Sequence, residues 1–258
     1  MIPKVIHYCW FGRNPLPELT IECIESWKKY CSDFEIKLWN EDNFNFEENQ
    51  FAREAYQEKK WAFVSDYVRL KILYEEGGIY MDTDVKVLKP LESLLQHNAF
   101  SGFENNQFIS TAIMGSERKN PWIGYLLSYY EEKSFYKTDG SLNNETNVKI
   151  ITRMTRERYP VCLDNSYQEF PDFVLYPKDY FCPLDNRTGK LTITDNSYTI
   201  HLFDGSWLGG LEKESMERAK VLNRTFGTFI GNALNSIIYN YKKNGIMGVL
   251  KKIKGRGL

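Results

Sequence analysis

An α/β fold is what this sequence predicts, and three stretches predict it. Val5 to Phe11 is a short apolar run closed by Gly12 and the turn-rich Asn14-Pro-Leu-Pro17, which predicts a buried first strand. Leu19 to Tyr30 carries Ile21, Ile24 and Trp27 at helical spacing, and Glu35–Trp39 predicts a second strand. A β-α-β opening of this kind implies a parallel sheet with a right-handed crossover. The third stretch, Trp61 to Pro90, reads as a buried helix, a stop at Gly77-Gly78 and a strand over Ile79–Asp84, with helices expected over roughly 51 to 76. Further on, strands are expected at Ala99–Phe103, Ile109–Met114, Leu191–Thr194 and Tyr198–Leu202, and a helix near Pro121–Glu132. Between them lies the polar loop Thr138–Thr146. No repeat or low-complexity segment interrupts the series.

At 258 residues, with 42% hydrophobic and 15% aromatic content, the chain has material for one sizeable core. A formal net charge of -1 argues against bulk nucleic-acid binding. Five cysteines in an odd set without CxxC spacing fit reduced thiols in a cytosolic protein. The first residues contain no signal-peptide pattern, and no uncharged apolar stretch reaches the roughly 18 residues of a spanning helix. Asn-x-Ser/Thr sequons begin at Asn144, Asn186 and Asn223, and without a secretory signal they are chance matches.

Asp82 and Asp84 carry the chemistry. On a strand, residues i and i+2 point the same way, so both carboxylates would aim at one point. Like charges that close call for a cation, and oxygen ligands favour Mg²⁺ or Mn²⁺ completed by water and substrate phosphates. The bland alternative is a solvated strand end. The haloacid-dehalogenase signature DxDx[TV] also opens on aspartates, but its fifth position here is Lys86. Asp66 and Arg69 stand at i and i+3 on an otherwise apolar helix, where charge is costly unless paired or given a ligand. They are either a structural ion pair or part of a polar pocket beside the metal.

The segments IPKVIHYCWFG, SDYVRLKILYEEGGIYMDTD and HLFDGSW, in this order, resemble the DXD-containing sugar transferases of capsule and surface-polysaccharide synthesis. That family is similar to fungal α-mannosyltransferases and, over the first two segments, to clostridial glucosylating toxins. The resemblance implies a GT-A fold, a single Rossmann-like mixed sheet flanked by helices, and sugar transfer with retention at the anomeric carbon. It implies Mn²⁺ (or Mg²⁺) and a nucleotide-sugar donor, UDP-sugar ahead of GDP-sugar. Residue by residue, Trp10 matches an aromatic that stacks on the base, with core packing as its bland alternative. Asp66 and Arg69 match groups that bind donor-sugar hydroxyls, and Tyr80 lines the same pocket. Asp82 and Asp84 match the metal motif. His201 is the expected third ligand with Asp204 as its competitor, Ser206 and Trp207 would contact the leaving diphosphate, and His7 would pack in the first strand. Residues from about 100 to 195 match no motif and are where acceptor choice would lie.

Residues 1–217 are expected to form the catalytic domain and 218–258 a basic amphipathic helical tail. After Glu217 no Asp or Glu occurs, while Phe226, Phe229, Ile230, Ala233, Leu234, Ile237, Ile238 and Tyr241 recur at helical spacing. The pattern resumes after Gly245 with Ile246, Val249, Leu250 and Ile253. This tail would dock on a membrane surface, on the catalytic domain or on a second subunit, and membrane docking would suit a saccharide acceptor on a lipid carrier. The expected location is cytoplasmic, peripheral on the inner face of the membrane. A metal-dependent phosphatase or nucleotidyltransferase, and a non-catalytic nucleotide-sugar-binding protein, are the competing functions. The phosphatase or nucleotidyltransferase reading would leave Trp10, Asp66 and Arg69 without roles.

Overall fold

The computed structural model describes residues 1–206 and 208–254, with side chains described up to 247. The chain divides into two compact units, one of residues 1–183 with 192–202, the other of 184–191 with 203–258. The division falls at Leu202/Phe203, ahead of the break after Glu217 read from charge.

The first unit has the expected α/β class. Strand β1 (Val5–Cys9) leads into helix α1 (Glu18–Tyr30) and β2 (Glu35–Trp39), then α2 (Gln50–Gln57), α3 (Trp61–Glu76), β3 (Gly78–Met81) and β4 (Val85–Val87). There follow β5 (Ala99–Asn105), β6 (Phe108–Ile109), β7 (Ile113–Ser116), α4 (Pro121–Ser128), α5 (Asn147–Arg158), β8 (Gln168–Glu169), β9 (Val174–Tyr176), α6 (Lys178–Phe181) and β10 (Thr199–His201). The main sheet runs β2-β1-β3-β7-β5-β9-β8, with β6 paired to β5, while β10 and β4 form a separate two-stranded sheet. β1 is parallel to β2 and β3, β7 antiparallel to β3 and β5, and β9 parallel to β5, so the sheet is mixed.

His7 and two glycines hold the centre of this sheet. His7 is fully buried on β1; its Nδ1 accepts from Trp39 Nε1 at 3.0 Å, which leaves Nε2 to donate to the Gly77 carbonyl at 2.8 Å. Burial pushes its pKa down to about 4, so the ring is a neutral structural strut. Gly77 and Gly78 have φ of +69° and +100°, and a Cβ on Gly78 would meet His7 Nε2 and the Val5 carbonyl at 2.8 Å. Glycine is required there by backbone conformation and by space. On the other side, buried Trp27 of α1 donates to the Val85 carbonyl at 2.7 Å, fixing α1 against β4.

Three expectations need correction. The strand expected over Ile79–Asp84 stops at Met81, and Asp82-Thr83-Asp84 forms a turn closed by Val85 N donating to Asp82 O at 3.0 Å. The strand expected over Ile109–Met114 is broken into β6 and β7. Leu191–Thr194 forms no strand; Leu191 makes one isolated bridge to Leu184, and both Leu191 and Ile193 are exposed, so their alternation has no sheet to face. Helix α5 and strands β8 and β9 had no counterpart in the sequence reading.

In the second unit, helix α7 (Gly210–Lys254) has non-helical backbone at Gly227 and Gly245. It is therefore three helical stretches, starting well before the expected tail. The loop 184–191 is tied to the first stretch by Asn223 Nδ2 donating to Arg187 O at 2.9 Å and by Arg224 donating to Thr188 O.

Candidate functional site

Helix α3 supplies the buried half of the site. Its face is apolar except for Asp66 and Arg69, which are 8% and 4% exposed. Burying charge is tolerated only when its hydrogen-bonding capacity is met, and the Arg69 fork is well supplied. Its Nη2 lies 3.1 Å from Asp66 Oδ1 and its Nη1 3.1 Å from Asp82 Oδ1. The same Nη1 donates to the Thr111 carbonyl at 2.8 Å and Nε to the Ser65 carbonyl at 3.2 Å. The guanidinium sits 4.5 Å over the Tyr80 ring, and Tyr80 OH donates to Asp82 Oδ1 at 3.1 Å. Burial opposes the charge on Arg69, but Asp82, Tyr80 and Asp66 together hold it protonated.

The turn after β3 supplies the open half. Asp82 N donates to Ala112 O at 2.8 Å, which anchors the turn to the strand region before β7. The two carboxylates converge through this turn and not through strand alternation. Antiparallel pairing of β10 with β4 sets His201 opposite Val85, and Leu202 N donates to Asp84 O at 3.0 Å. His201 Nε2 is then 3.4 Å from Asp84 Oδ1. One ligand atom from each of Asp82, Asp84 and His201 lies within 4.8 Å of the others, a spacing that fits one divalent ion. Two carboxylates with one imidazole suit Mn²⁺, and Mg²⁺ with more of its shell left to water and phosphate.

The charges in this cluster are strongly coupled. Burial pushes the Asp66 carboxyl up to about 7; Arg69 opposes this, Asp82 adds to it, and the Asn147 amide opposes it. Asp82 is likewise raised by burial, against Arg69 and with Asp84. Burial disfavours imidazolium at His201, yet the charge and hydrogen bond of Asp84 outweigh that and raise its pKa well above the usual value. His201 and Asp84 thus meet at the place where a cation would bind.

The remaining sequence candidates are placed as follows. Trp10 follows β1, is half-buried, and donates its indole N–H to Asn14 O at 2.6 Å, apart from the hydrogen bonds of the acid cluster. Asp204 belongs to the second unit, where it accepts from Lys213 Nζ at 2.8 Å. Ser206 is exposed at a turn of that unit, and Trp207 lies outside the described residues.

Two residues escaped the sequence reading. Glu104, at the end of β5, is raised by burial, with His201 opposing and Asp82 adding to the shift, so it belongs to the same electrostatic neighbourhood. Asn147 starts α5 and is 5% exposed, with its Oδ1 accepting from Tyr130 OH at 3.4 Å. A single Glu in a strand carries no signal, and the polar loop 138–146, a loop as expected, gives no sign of the helix that starts at Asn147.

Residues 17–101 match the family described as glycosyltransferase sugar-binding region containing DXD motif. Inositol phosphoceramide mannosyltransferase 3 of Schizosaccharomyces pombe is 30% identical over 126 residues, covering 47% of this chain and 35% of that protein. The chain thus spans about a third of the length of such fungal relatives. An uncharacterized glycosyltransferase of Acanthamoeba polyphaga mimivirus is 26% identical over 226 residues, covering 80% of this chain and 84% of that one. Among solved structures, a glycosyltransferase involved in the glycosylation of the major capsid of PBCV-1 aligns with TM-score 0.46 and 13% identity over 83% of this chain and 99% of that chain.

Proposed function

We propose, from the premise that the chain belongs over residues 17–101 to the DXD-motif glycosyltransferases, that it transfers a sugar from a nucleotide-sugar to a saccharide acceptor. The observation that carries this reading is the convergence of Asp82, Asp84 and His201 within 4.8 Å beside the buried Asp66–Arg69 pair. Asp82, Asp84 and His201 would hold Mn²⁺ or Mg²⁺. When bound, the ion supplies Lewis-acid stabilisation of the negative charge that grows on the departing diphosphate.

The chain's own residues divide the remaining work. Arg69 and Tyr80 both hold Asp82 Oδ1, so that carboxylate keeps one orientation as ligands come and go. Asp66, pinned by Arg69 and lying among Asp82 and Asn147, presents an acceptor for donor-sugar hydroxyls once it is ionised. Half-buried Trp10 would stack on the base. The transfer retains anomeric configuration by attack on the face the diphosphate leaves, with that diphosphate taking the acceptor's proton. UDP-sugar is the first donor and GDP-sugar the second, the latter because the named fungal relatives are mannosyltransferases. The acceptor is a growing surface polysaccharide, on a lipid carrier at the cytoplasmic leaflet.

Incubation with a panel of nucleotide sugars and Mn²⁺ tests this. Slow release of free sugar and nucleoside diphosphate in equal amounts supports the transferase. Release of inorganic phosphate would point to a phosphatase, and donor binding without any turnover to a sugar-nucleotide sensor.

A further inference from the structure

The second unit reverses the usual placement of polar and apolar side chains. The first two stretches of α7, residues 210–226 and 228–244, run antiparallel about Gly227, and the contacts between them are polar. Arg218 Nε donates to Asn235 Oδ1 at 2.9 Å, Asn235 Nδ2 to Ser215 Oγ at 3.1 Å, and Tyr239 OH to Glu212 Oε1 at 2.8 Å. Lys242 reaches Glu214, and Asn223 donates to Asn232 Oδ1 at 3.1 Å. The backbones approach so closely that a Cβ on Gly231 would lie 2.7 Å from Asn223 N. Most of the polar groups on the facing surfaces of this helix pair therefore bond across it, with Arg218 Nη2 and Asn223 Oδ1 left over.

The apolar residues look outward instead. On the second stretch, Phe229 or Ile230, then Leu234, Ile237 and Tyr241 recur three to five apart, which lines them along one face of that helix, and Phe226 ends the first stretch just before the break at Gly227. Phe229 is 90% exposed and Tyr241 60% exposed; past Gly245, Ile246 is 68% exposed. A cluster of large apolar side chains this exposed marks an interaction surface. Its charge indicates what covers it. Residues 210–258 contain ten Lys and Arg against three Glu, so although Glu212, Glu214 and Glu217 pair with Arg218, Lys220, Lys242 and Lys243, an excess of seven positive charges is left. Two copies meeting through this stripe would bring these like charges together. No described helix is long and apolar enough to cross a membrane, so a lipid partner would be met at its surface.

We propose that this stripe docks on an anionic lipid bilayer surface, apolar side chains at the headgroup–acyl boundary and the basic residues on the headgroups. The docking is independent of the transferase reading, since it needs neither donor nor metal.

The test uses the full chain with vesicles of phosphatidylcholine alone or with about a third phosphatidylglycerol. Co-sedimentation should be more than about tenfold stronger with the anionic vesicles at low salt and weaken as salt rises. Phe229→Ser with Ile237→Ser should reduce it by about tenfold or more while the helical circular-dichroism signal stays unchanged. Phe229→Trp should show a blue shift of emission over the parent protein when anionic vesicles are added. Absence of binding at low salt, unchanged binding by the double variant, or unshifted emission at position 229 would each overturn the proposal. So would a dimer that the double variant dissociates in a protein that ignores vesicles, which would make a second copy the occupant.

Discussion

The acid cluster of the first unit and the helix pair of the second depart from ordinary soluble packing in opposite directions. In the cluster, charge lies inside: one guanidinium faces two carboxylates, Asp66 and Asp82, each at 3.1 Å. In the helix pair, polar groups bond one another across the seam and large aromatic and aliphatic side chains are exposed. Neither arrangement is the most stable use of its residues, because buried charge and exposed apolar area both cost free energy. The comparison teaches that each departure suits a different complementary chemistry, cationic and polar at the cluster and apolar at the stripe. Local rules broken without an internal compensation are where function is expected.

The sharpest way to break the cluster is Asp84→Ala. It removes one ligand and the anion beside His201, and donor turnover should fall by more than about 100-fold, beyond the range typical of groups that only support a ligand. The circular-dichroism spectrum should not change. Arg69→Lys comes next. A lysine cannot bridge Asp66, Asp82 and the Thr111 carbonyl at once, so affinity for the intact nucleotide-sugar should drop about tenfold. Calorimetry should find binding of the bare nucleoside diphosphate nearly unaffected; equal losses for both ligands would make the pair purely structural.

A smaller effect is expected from pH. With its carboxyl near 7, Asp66 is mostly protonated at pH 6 and ionised at pH 8, so donor-sugar affinity should rise through that window. Asp66→Asn should flatten the step. The same raised pKa means that the folded protein binds its proton more tightly than the unfolded chain. Its contribution to stability therefore falls as pH rises from 3.8 to about 7 and is constant above that. His201 adds in the same direction for metal: its proton must leave when a cation binds, so Mn²⁺ affinity should increase with pH. The smallest effect belongs to the stripe. Phe229→Ser should change thermal stability by no more than about 0.5 kcal/mol, because the ring touches little in the folded chain. A large loss would show that the stripe is packed in solution.

Much of the first unit was legible because its signals are local. β2 and α1 follow from runs of the right period, and Gly77-Gly78 announced both the end of α3 and the φ values that end needs. Asp66 and Arg69 stood out as charges on an apolar helix. The geometry at Asp82 and Asp84 was less legible. Alternation along a strand and a tight turn both bring two carboxylates together, and the sequence does not separate them. The approach of His201 to that turn depends on β10 pairing with β4, more than a hundred residues earlier in the chain. Glu104 likewise acquires its surroundings only through tertiary packing. For the helix pair, periodicity marked the apolar row of the second stretch but carried it back across Gly227, where the helix breaks. It did not reveal that Asn223, Asn232 and Asn235 bond across the pair.

The central claim is that Asp82, Asp84 and His201 hold a divalent cation on which sugar transfer depends. The most direct measurement is turnover of a UDP-sugar by the full chain, stripped with EDTA and then titrated with Mn²⁺. The account predicts no turnover in EDTA and a saturable return with added Mn²⁺ that His201→Ala shifts to higher concentration. Full turnover in excess EDTA would contradict it.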